Sequence, residues 1–251
     1  MTIPKKIFQT CADVQALKPE ILANIEKIKA LNPGWSYALF DDQAMWAYFE
    51  ANFDSSIMGL LKGVNPKYGV VLADLFRYLV IYNEGGVYLD IKSTMSMPLD
   101  KVLRENDELV LSQWRNRMGE EFVGAGLYPE LNRIPGGEFQ QWHVIAKAGH
   151  PLLMHVVNEV LLNIKNYSPH WFGVGKVGVL RLSGPICYSL CLAPHLAKHP
   201  IRFADIQTMG FSYSLYKQLG DKDFHTKSLT HYSALKEPIV SIRPDTNGVT
   251  V

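Results

Sequence analysis

Cysteine is scarce in this chain: 251 residues hold three, Cys11, Cys187 and Cys191, too few for a disulfide framework. Cys187 and Cys191 fall at i and i+4 of an expected helix and share a face, which reads as buried small hydrophobes rather than metal ligands. A charge surplus is missing too, because 25 basic residues against 24 acidic ones leave a formal net charge of +1. That balance gives no global field for gripping a nucleic-acid backbone, so no nucleic-acid partner is expected and any anion must be caught locally. Long apolar runs are also lacking. The best, Val70 to Tyr82, is interrupted by Asp74 and Arg77, so no transmembrane segment is expected. Met1 to Lys6 lacks the apolar stretch of a signal peptide. The expectation is a cytoplasmic protein whose membrane contact, if any, is peripheral. No repeat, low-complexity tract or linker divides the chain, which reads as a single domain over 1–251.

What is present is an alternation of strand and helix signals. Ile3 to Thr10 reads as a first strand, and Pro19 to Leu31 follows with Ile21, Leu22, Ile25, Ile28 and Leu31 at helical spacing. Asn32-Pro33-Gly34 stops that helix, and Trp35 to Phe40 reads as a second strand. Ala44 to Phe53 is expected as a short aromatic helix and Gly69 to Asn83 as a longer one. Gly85-Gly86 ends the latter before a strand over Val87 to Ile91. Glu108 to Ser112 reads as a strand and Tyr128 to Gly137 as loop. Glu138 to Lys147, Pro151 to Ile164 and Gly184 to Leu196 read as helices. The β-α-β opening predicts an α/β fold with a Rossmann-like mixed sheet flanked by helices.

The chemistry gathers between Asp74 and Lys92. Asp74, Arg77, Tyr78 and Ile81 fall at i, i+3, i+4 and i+7 and share one helix face. Alone, such an Asp–Arg pair is commonest on a solvated face, where it is nearly neutral in energy. The strand after the glycines changes that balance. Its alternation sends Tyr88, Asp90 and Lys92 to one side and Val87, Leu89 and Ile91 to the other. A carboxylate at a strand's carboxyl end sits where open α/β sheets bind ligands, so Asp74 and Arg77 are expected to converge on Asp90.

Four segments in order, Ile3-Pro4-Lys5-Lys6-Ile7-Phe8-Gln9-Thr10, Leu31-Asn32-Pro33-Gly34-Trp35, Ala73-Asp74-Leu75-Phe76-Arg77-Tyr78 and Gly85-Gly86-Val87-Tyr88-Leu89-Asp90, resemble the DxD-type sugar transferases. That group includes Och1-like mannosyltransferases, capsular polysaccharide glycosyltransferases (family 32-like) and, more distantly, the large clostridial glucosylating toxins. The resemblance is dense from residue 3 to about residue 100. It implies a GT-A fold and retaining transfer of a hexose from a UDP- or GDP-linked donor to a glycan or glycolipid acceptor. By resemblance, 1–110 is the nucleotide-sugar-binding half and 111–243 the acceptor half, with 244–251 a tail. Phe8, Gln9 and Thr10 match the nucleoside-pocket strand end. Asp74 and Arg77 match the pair contacting the donor sugar and ribose region, with Tyr78 beside them, and Asp90 matches the first acid of the DxD.

Lys92 stands where the family has its second acid. Charge developing on a nucleoside-diphosphate leaving group needs a counter-charge, and two arrangements supply it. Lys92 takes over the metal's role as a compact point charge, or a Mn²⁺ or Mg²⁺ is held by Asp90 and His231, a sparse donor set for a hard cation. Further along, Glu138 reads as a residue for the acceptor hydroxyl or the reacting sugar, with Gln140 and Gln141 beside it at the expected helix start. Trp114 offers a platform for an acceptor sugar face. Gly173-Val174-Gly175-Lys176-Val177-Gly178 matches G-x-G-x-x-G by letter, but no strand signal precedes it. It is expected as a flexible loop from which Lys176 or Arg181 reaches the diphosphate. Two other readings stand beside transfer: a carboxylate-based glycoside hydrolase and a non-catalytic sugar-nucleotide or glycan-binding relative.

Overall fold

The structure, a computed structural model, describes residues 2–218 and 232–241. The described strands are β1 (Lys6–Thr10), β2 (Ser36–Phe40), β3 (Gly86–Leu89), β4 (Thr94–Met95), β5 (Leu109–Leu111), β6 (His143–Ala146), β7 (Arg202–Phe203) and β8 (Phe211–Ser212). The helices are α1 (Pro19–Leu31), α2 (Asp42–Asn52), α3 (Ser55–Leu61), α4 (Gly69–Glu84), α5 (Leu99–Val102), α6 (Pro151–Lys165), α7 (Pro169–Phe172), α8 (Gly175–Leu182), α9 (Pro185–Leu192) and α10 (Leu215–Gln218). Six strands form one mixed sheet in the order β2-β1-β3-β6-β5-β7, with β6 antiparallel to both neighbours. β4 and β8 make a small antiparallel pair.

Alternation along the strands builds two cores. Phe8, Tyr88, Leu109, Leu111, Val144 and Ala146 face a large cluster with α2, α4, α6 and α9. Ile7, Val87, Leu89, Val110 and Ile145 face the opposite cluster, with Ile28 of α1 and Leu99 of α5. A sheet covered on both faces leaves its strand ends as the place where polar side chains meet solvent.

The turn between α4 and β3 is fixed by two glycines. Gly85 has φ +63° and Gly86 φ +113°, and a Cβ on Gly86 would lie 2.5 Å from the Lys6 carbonyl oxygen of β1. Only glycine accepts that backbone and that approach.

Two expectations fail. The segment Glu138 to Lys147 is not helical but runs extended into β6, the central antiparallel strand. All four residues of β6 are buried, which erases the alternation that marks a half-exposed strand. The stretch Gly173 to Gly178 is not a flexible loop but opens α8, following α7 rather than a strand. Smaller shifts occur as well. β3 ends at Leu89, and the Ser93 N–H closes a turn on the Asp90 carbonyl oxygen at 2.8 Å, so Lys92 is placed by a turn and not by strand alternation. Cys187 and Cys191 are both buried on α9, as expected. Among the described residues one stretch, Gly175–Lys198, has the length and apolarity of a membrane span (mean hydropathy 1.3). It is interrupted at Ser183-Gly184 between α8 and α9.

Candidate active site

The carboxyl ends of β1, β3 and β5 and the amino end of antiparallel β6 lie at one edge of the sheet. At that edge the Asp90 N–H donates to the Trp142 carbonyl oxygen at 2.8 Å. Gln9, buried at the end of β1, donates from Nε2 to the Asp90 carbonyl oxygen at 3.1 Å and accepts from the Tyr37 hydroxyl at 2.7 Å. Thr10 Oγ1 lies 2.9 Å from Tyr88 Oη. The backbone carrying Asp90 is thus fastened from both neighbouring strands.

Arg77 is the centre of the constellation. One guanidinium nitrogen lies 3.1 Å from Asp74 Oδ1 and 3.2 Å from Asp90 Oδ1. Another donates to the Gln141 carbonyl oxygen at 2.9 Å and to Gln141 Oε1 at 2.6 Å. The guanidinium also sits 5.0 Å from the Tyr88 ring centroid. Burial opposes its charge, but Asp90 first, then Tyr88 and Asp74, outweigh that cost and hold the pKa above its ordinary value. The expected convergence of Asp74, Arg77 and Asp90 is therefore present in the geometry.

The two carboxylates differ in surroundings. Asp74 is 1% exposed, while the Asp90 side chain keeps 23% exposure. Asp74 accepts from Ser183 Oγ at 2.8 Å and from Gln141 Nε2 at 3.2 Å. Burial raises its pKa despite Arg77, Ser183 and Gln141. Both Asp74 oxygens are engaged, so its expected contact with a donor sugar gives way to positioning Arg77. Tyr78 is likewise sealed, stacked on Tyr188 at 5.3 Å with its hydroxyl 3.0 Å from the Ser183 carbonyl oxygen. Phe8 belongs to the core.

Lys92 Nζ lies 2.8 Å from Tyr213 Oη and 4.2 Å from that ring's centroid. Burial lowers its pKa and Arg77 adds to that, with Asp90 opposing. Tyr213 in turn packs edge-on to Trp114 at 5.3 Å and lies 5.7 Å from Trp142. Trp114 Nε1 donates to Glu138 Oε1. Glu138 is buried and its second oxygen has no partner. Burial pushes its pKa up to about 6, against the lowering by Trp114 and Lys176. Glu138 reaches this position from the loop before β6, not from a helix start.

The remaining expectations separate. Gln141 is the latch between Asp74 and Arg77, and Gln140 is buried, accepting from Ser112 Oγ at 2.6 Å. Arg181 is paired with Glu130 at 2.6 Å. Lys176 is exposed and close enough to Glu138 to act on its charge. His231 lies outside the described residues. Sequence reasoning placed Tyr88 on the Asp90 side of its strand without giving it a role, and it missed Tyr213 and the Asp74-binding role of Ser183, because neither of these carries a local spacing signal.

The resemblance implies a divalent cation, and the described residues offer it a poor fit. The partly exposed carboxylate of Asp90 already faces Arg77, with the Lys92 ammonium nearby, and like charges oppose a further cation. No three His, Cys, Asp or Glu side chains gather into a metal-binding group among the described residues.

Residues 19–109 match a family model described as "Glycosyltransferase sugar-binding region containing DXD motif". The chain is 29% identical over 168 residues to the initiation-specific alpha-1,6-mannosyltransferase of Schizosaccharomyces pombe, covering 63% of this chain and 39% of that protein. It is 28% identical over 170 residues to the enzyme of the same name from Candida albicans, covering 62% of this chain and 42% of that protein. The chain thus spans about two fifths of the length of these curated relatives. A solved structure, the PaToxG glycosyltransferase, superposes with a TM-score of 0.51 at 15% identity, covering 78% of this chain and 70% of that one. The matches support a DxD-type glycosyltransferase family, and the architecture is an α/β GT-A fold.

Proposed function

We propose that the protein transfers a hexose from a nucleotide-sugar donor to a glycan or glycolipid acceptor, with retention at the anomeric carbon. The observation that carries this reading is the Arg77 guanidinium held between buried Asp74 and half-open Asp90 at the carboxyl edge of the sheet. Asp90 is the acid presented to the donor, and Asp74, Gln141 and Ser183 fix the cation beside it. In the transfer the bond from the anomeric carbon to the diphosphate oxygen breaks and its electron pair leaves with the nucleoside diphosphate. The acceptor oxygen bonds to the anomeric carbon and loses its proton to the departing diphosphate. The developing diphosphate charge needs a preorganised cation, and Lys92, a partly desolvated ammonium, is the group proposed to supply it. Low polarity around Lys92 strengthens that interaction relative to water.

The hydrolase reading needs two carboxylates flanking one open bond, and Asp74, sealed against Ser183 and Gln141, is not available for that. Mannosyltransferase relatives make GDP-mannose the first donor to test. In a thermal-shift panel of UDP, GDP, CMP and their sugar conjugates, one nucleotide family should raise the melting temperature, since a ligand of the native state stabilises it. Turnover of the matching donor should survive excess EDTA within about twofold and fall at least about a hundredfold in Lys92→Ala, the order of loss for an oxyanion-stabilising donor. Complete loss in EDTA restored by Mn²⁺ would overturn the role given to Lys92. Binding without transfer or hydrolysis would favour an inactive sugar-nucleotide binder.

A further inference from the structure

Beyond the Asp90 edge, a cavity of about 350 Å³ opens at the carboxyl ends of β5 and β7. Trp114 forms one wall, with Phe203, Arg115, Arg117, Asn116 and Asp205 among the others. Phe203 is 56% exposed, and Arg115 is paired with Asp205 through Nε at 2.9 Å. Aromatic faces beside a few placed polar groups, in a volume of this size, suit a small polar ligand with an apolar ring face. A sugar ring has that character: its C–H face packs on an aromatic ring while its hydroxyls bond to guanidinium, amide and carboxylate groups.

The wall is built with unusual care. Trp114 is half-buried, with its indole N–H fixed by Glu138 and its ring edge-on to Tyr213. Around this pair the chain crosses itself closely. The Glu138 N–H donates to the Gly126 carbonyl oxygen at 3.0 Å. A Cβ on Gly126 (φ +72°) would lie 2.5 Å from Glu138 Cγ and 2.9 Å from Trp114 Cδ1, and one on Gly137 (φ +78°) would lie 2.3 Å from the Gly126 carbonyl oxygen. A neutral acceptor would fix an indole N–H at lower desolvation cost than a buried carboxylate whose second oxygen is unpartnered. The charge makes sense where the ring must be held rigid against a ligand, because a charge-assisted bond is about twice as strong as a neutral one.

Resting on the transferase reading, we propose that this cavity is the acceptor subsite, taking a terminal sugar ring, and that Glu138 is the positioning residue that holds Trp114 as its wall. Trp114 then lies between the acceptor and the Lys92–Tyr213 pair on the donor side. The titratable and charged groups acting on Glu138 are Lys176 of α8, with Tyr128 and Tyr213 facing it from the loops. Falling pH protonates Glu138 around pH 6 and weakens its hold on Trp114.

The test uses the full chain with GDP-mannose, methyl α-D-mannopyranoside as acceptor, and water as the competing acceptor. Glu138→Leu should raise the acceptor KM at least tenfold at every pH, with the kcat of transfer changed far less. Glu138→Gln, which keeps a neutral acceptor for the indole N–H, should raise it only a few-fold and remove its rise below pH 6. An unchanged KM in Glu138→Leu, or a parallel fall in transfer and hydrolysis, would overturn the proposal. The cavity is read separately by titrating tryptophan fluorescence with the methyl mannoside. A quench present in wild type and lost in Trp114→Phe supports the subsite, and no saturable quench in wild type overturns it. Absence of any donor turnover with that quench intact would remove the transferase reading alone.

Discussion

Two aspartates of the same chemistry do different work because their surroundings differ. Asp74 is sealed, with both oxygens engaged, and removing its charge leaves Arg77 buried with one carboxylate in place of two. Breaking a buried pair typically costs about 3–5 kcal/mol, reduced here because Asp90 remains. Asp74→Asn should therefore lower the unfolding free energy by about 2–4 kcal/mol in a urea titration, with Asp90→Asn costing about half as much. Activity should rank the other way at a temperature where both variants are folded, since Asp90 faces the donor and Asp74 acts through Arg77. At this scale the sequence was legible where spacing is local: i, i+3 on one helix brought Asp74 and Arg77 together, and the strand end supplied Asp90. It was silent on the contact that Gln141 makes with Arg77 from 64 residues away, and on Tyr213, which reaches Lys92 across 121. Such partners follow only from how strands are ordered, and no residue pattern near either end encodes it.

Among the elements, α1, α4 and α6 were readable nearly to their ends, because apolar periodicity was bounded by strong stops such as Asn32-Pro33-Gly34 and Gly85-Gly86. β6 was not. A central antiparallel strand buried on both faces offers no alternation, and the polar run Glu138-Phe139-Gln140-Gln141 before it is as compatible with a helix start as with an extended approach. The α4–β3 turn carries a prediction of its own. Gly86→Ala forces a positive φ on a residue with a side chain and drives its Cβ into the Lys6 carbonyl of β1. Strain of that kind costs on the order of 1–3 kcal/mol before the overlap is counted. Loss of at least about 3 kcal/mol is expected by chemical denaturation, and a variant within 1 kcal/mol of wild type would show that β1 and β3 can part without penalty.

At the level of the whole molecule, acid should loosen the fold. Burial holds His143 and His150 at about 4, with His199 and Lys147 adding to the effect at His150. Their folded pKa values lie below the unfolded one, so the stability they carry is present above about 6.5 and is lost as pH falls toward 4. Glu138, raised to about 6, works with the opposite sign: its burial is least costly below 4.5 and most costly above 6. At one pKa unit per roughly 1.4 kcal/mol, the histidines outweigh it, and the protein should be about 3 kcal/mol less stable at pH 5 than at pH 7.5. His143→Gln should flatten that slope by about one proton in melts across the same range.

The segment from Tyr232 to Ser241 returns to the body of the molecule far from its neighbours in sequence. The Asn65 N–H donates to the Ile239 carbonyl oxygen and the Ser241 N–H to the Gly63 carbonyl oxygen, each at 2.8 Å. The Tyr68 hydroxyl donates to the Glu237 carbonyl oxygen and accepts from the Gly175 N–H, each at 2.9 Å. Tyr232, at its start, sits within electrostatic reach of Asp74, Asp90 and Arg77. Contacts spanning about 170 positions form late, because a long loop must close before they give any return. During synthesis the strands that carry Asp90 and the helix that carries Arg77 emerge well before this piece does. A chain released after residue 218 should therefore hold a folded sheet yet lack this closing contact beside Arg77, so that competence waits on the docking of Tyr232 to Ser241.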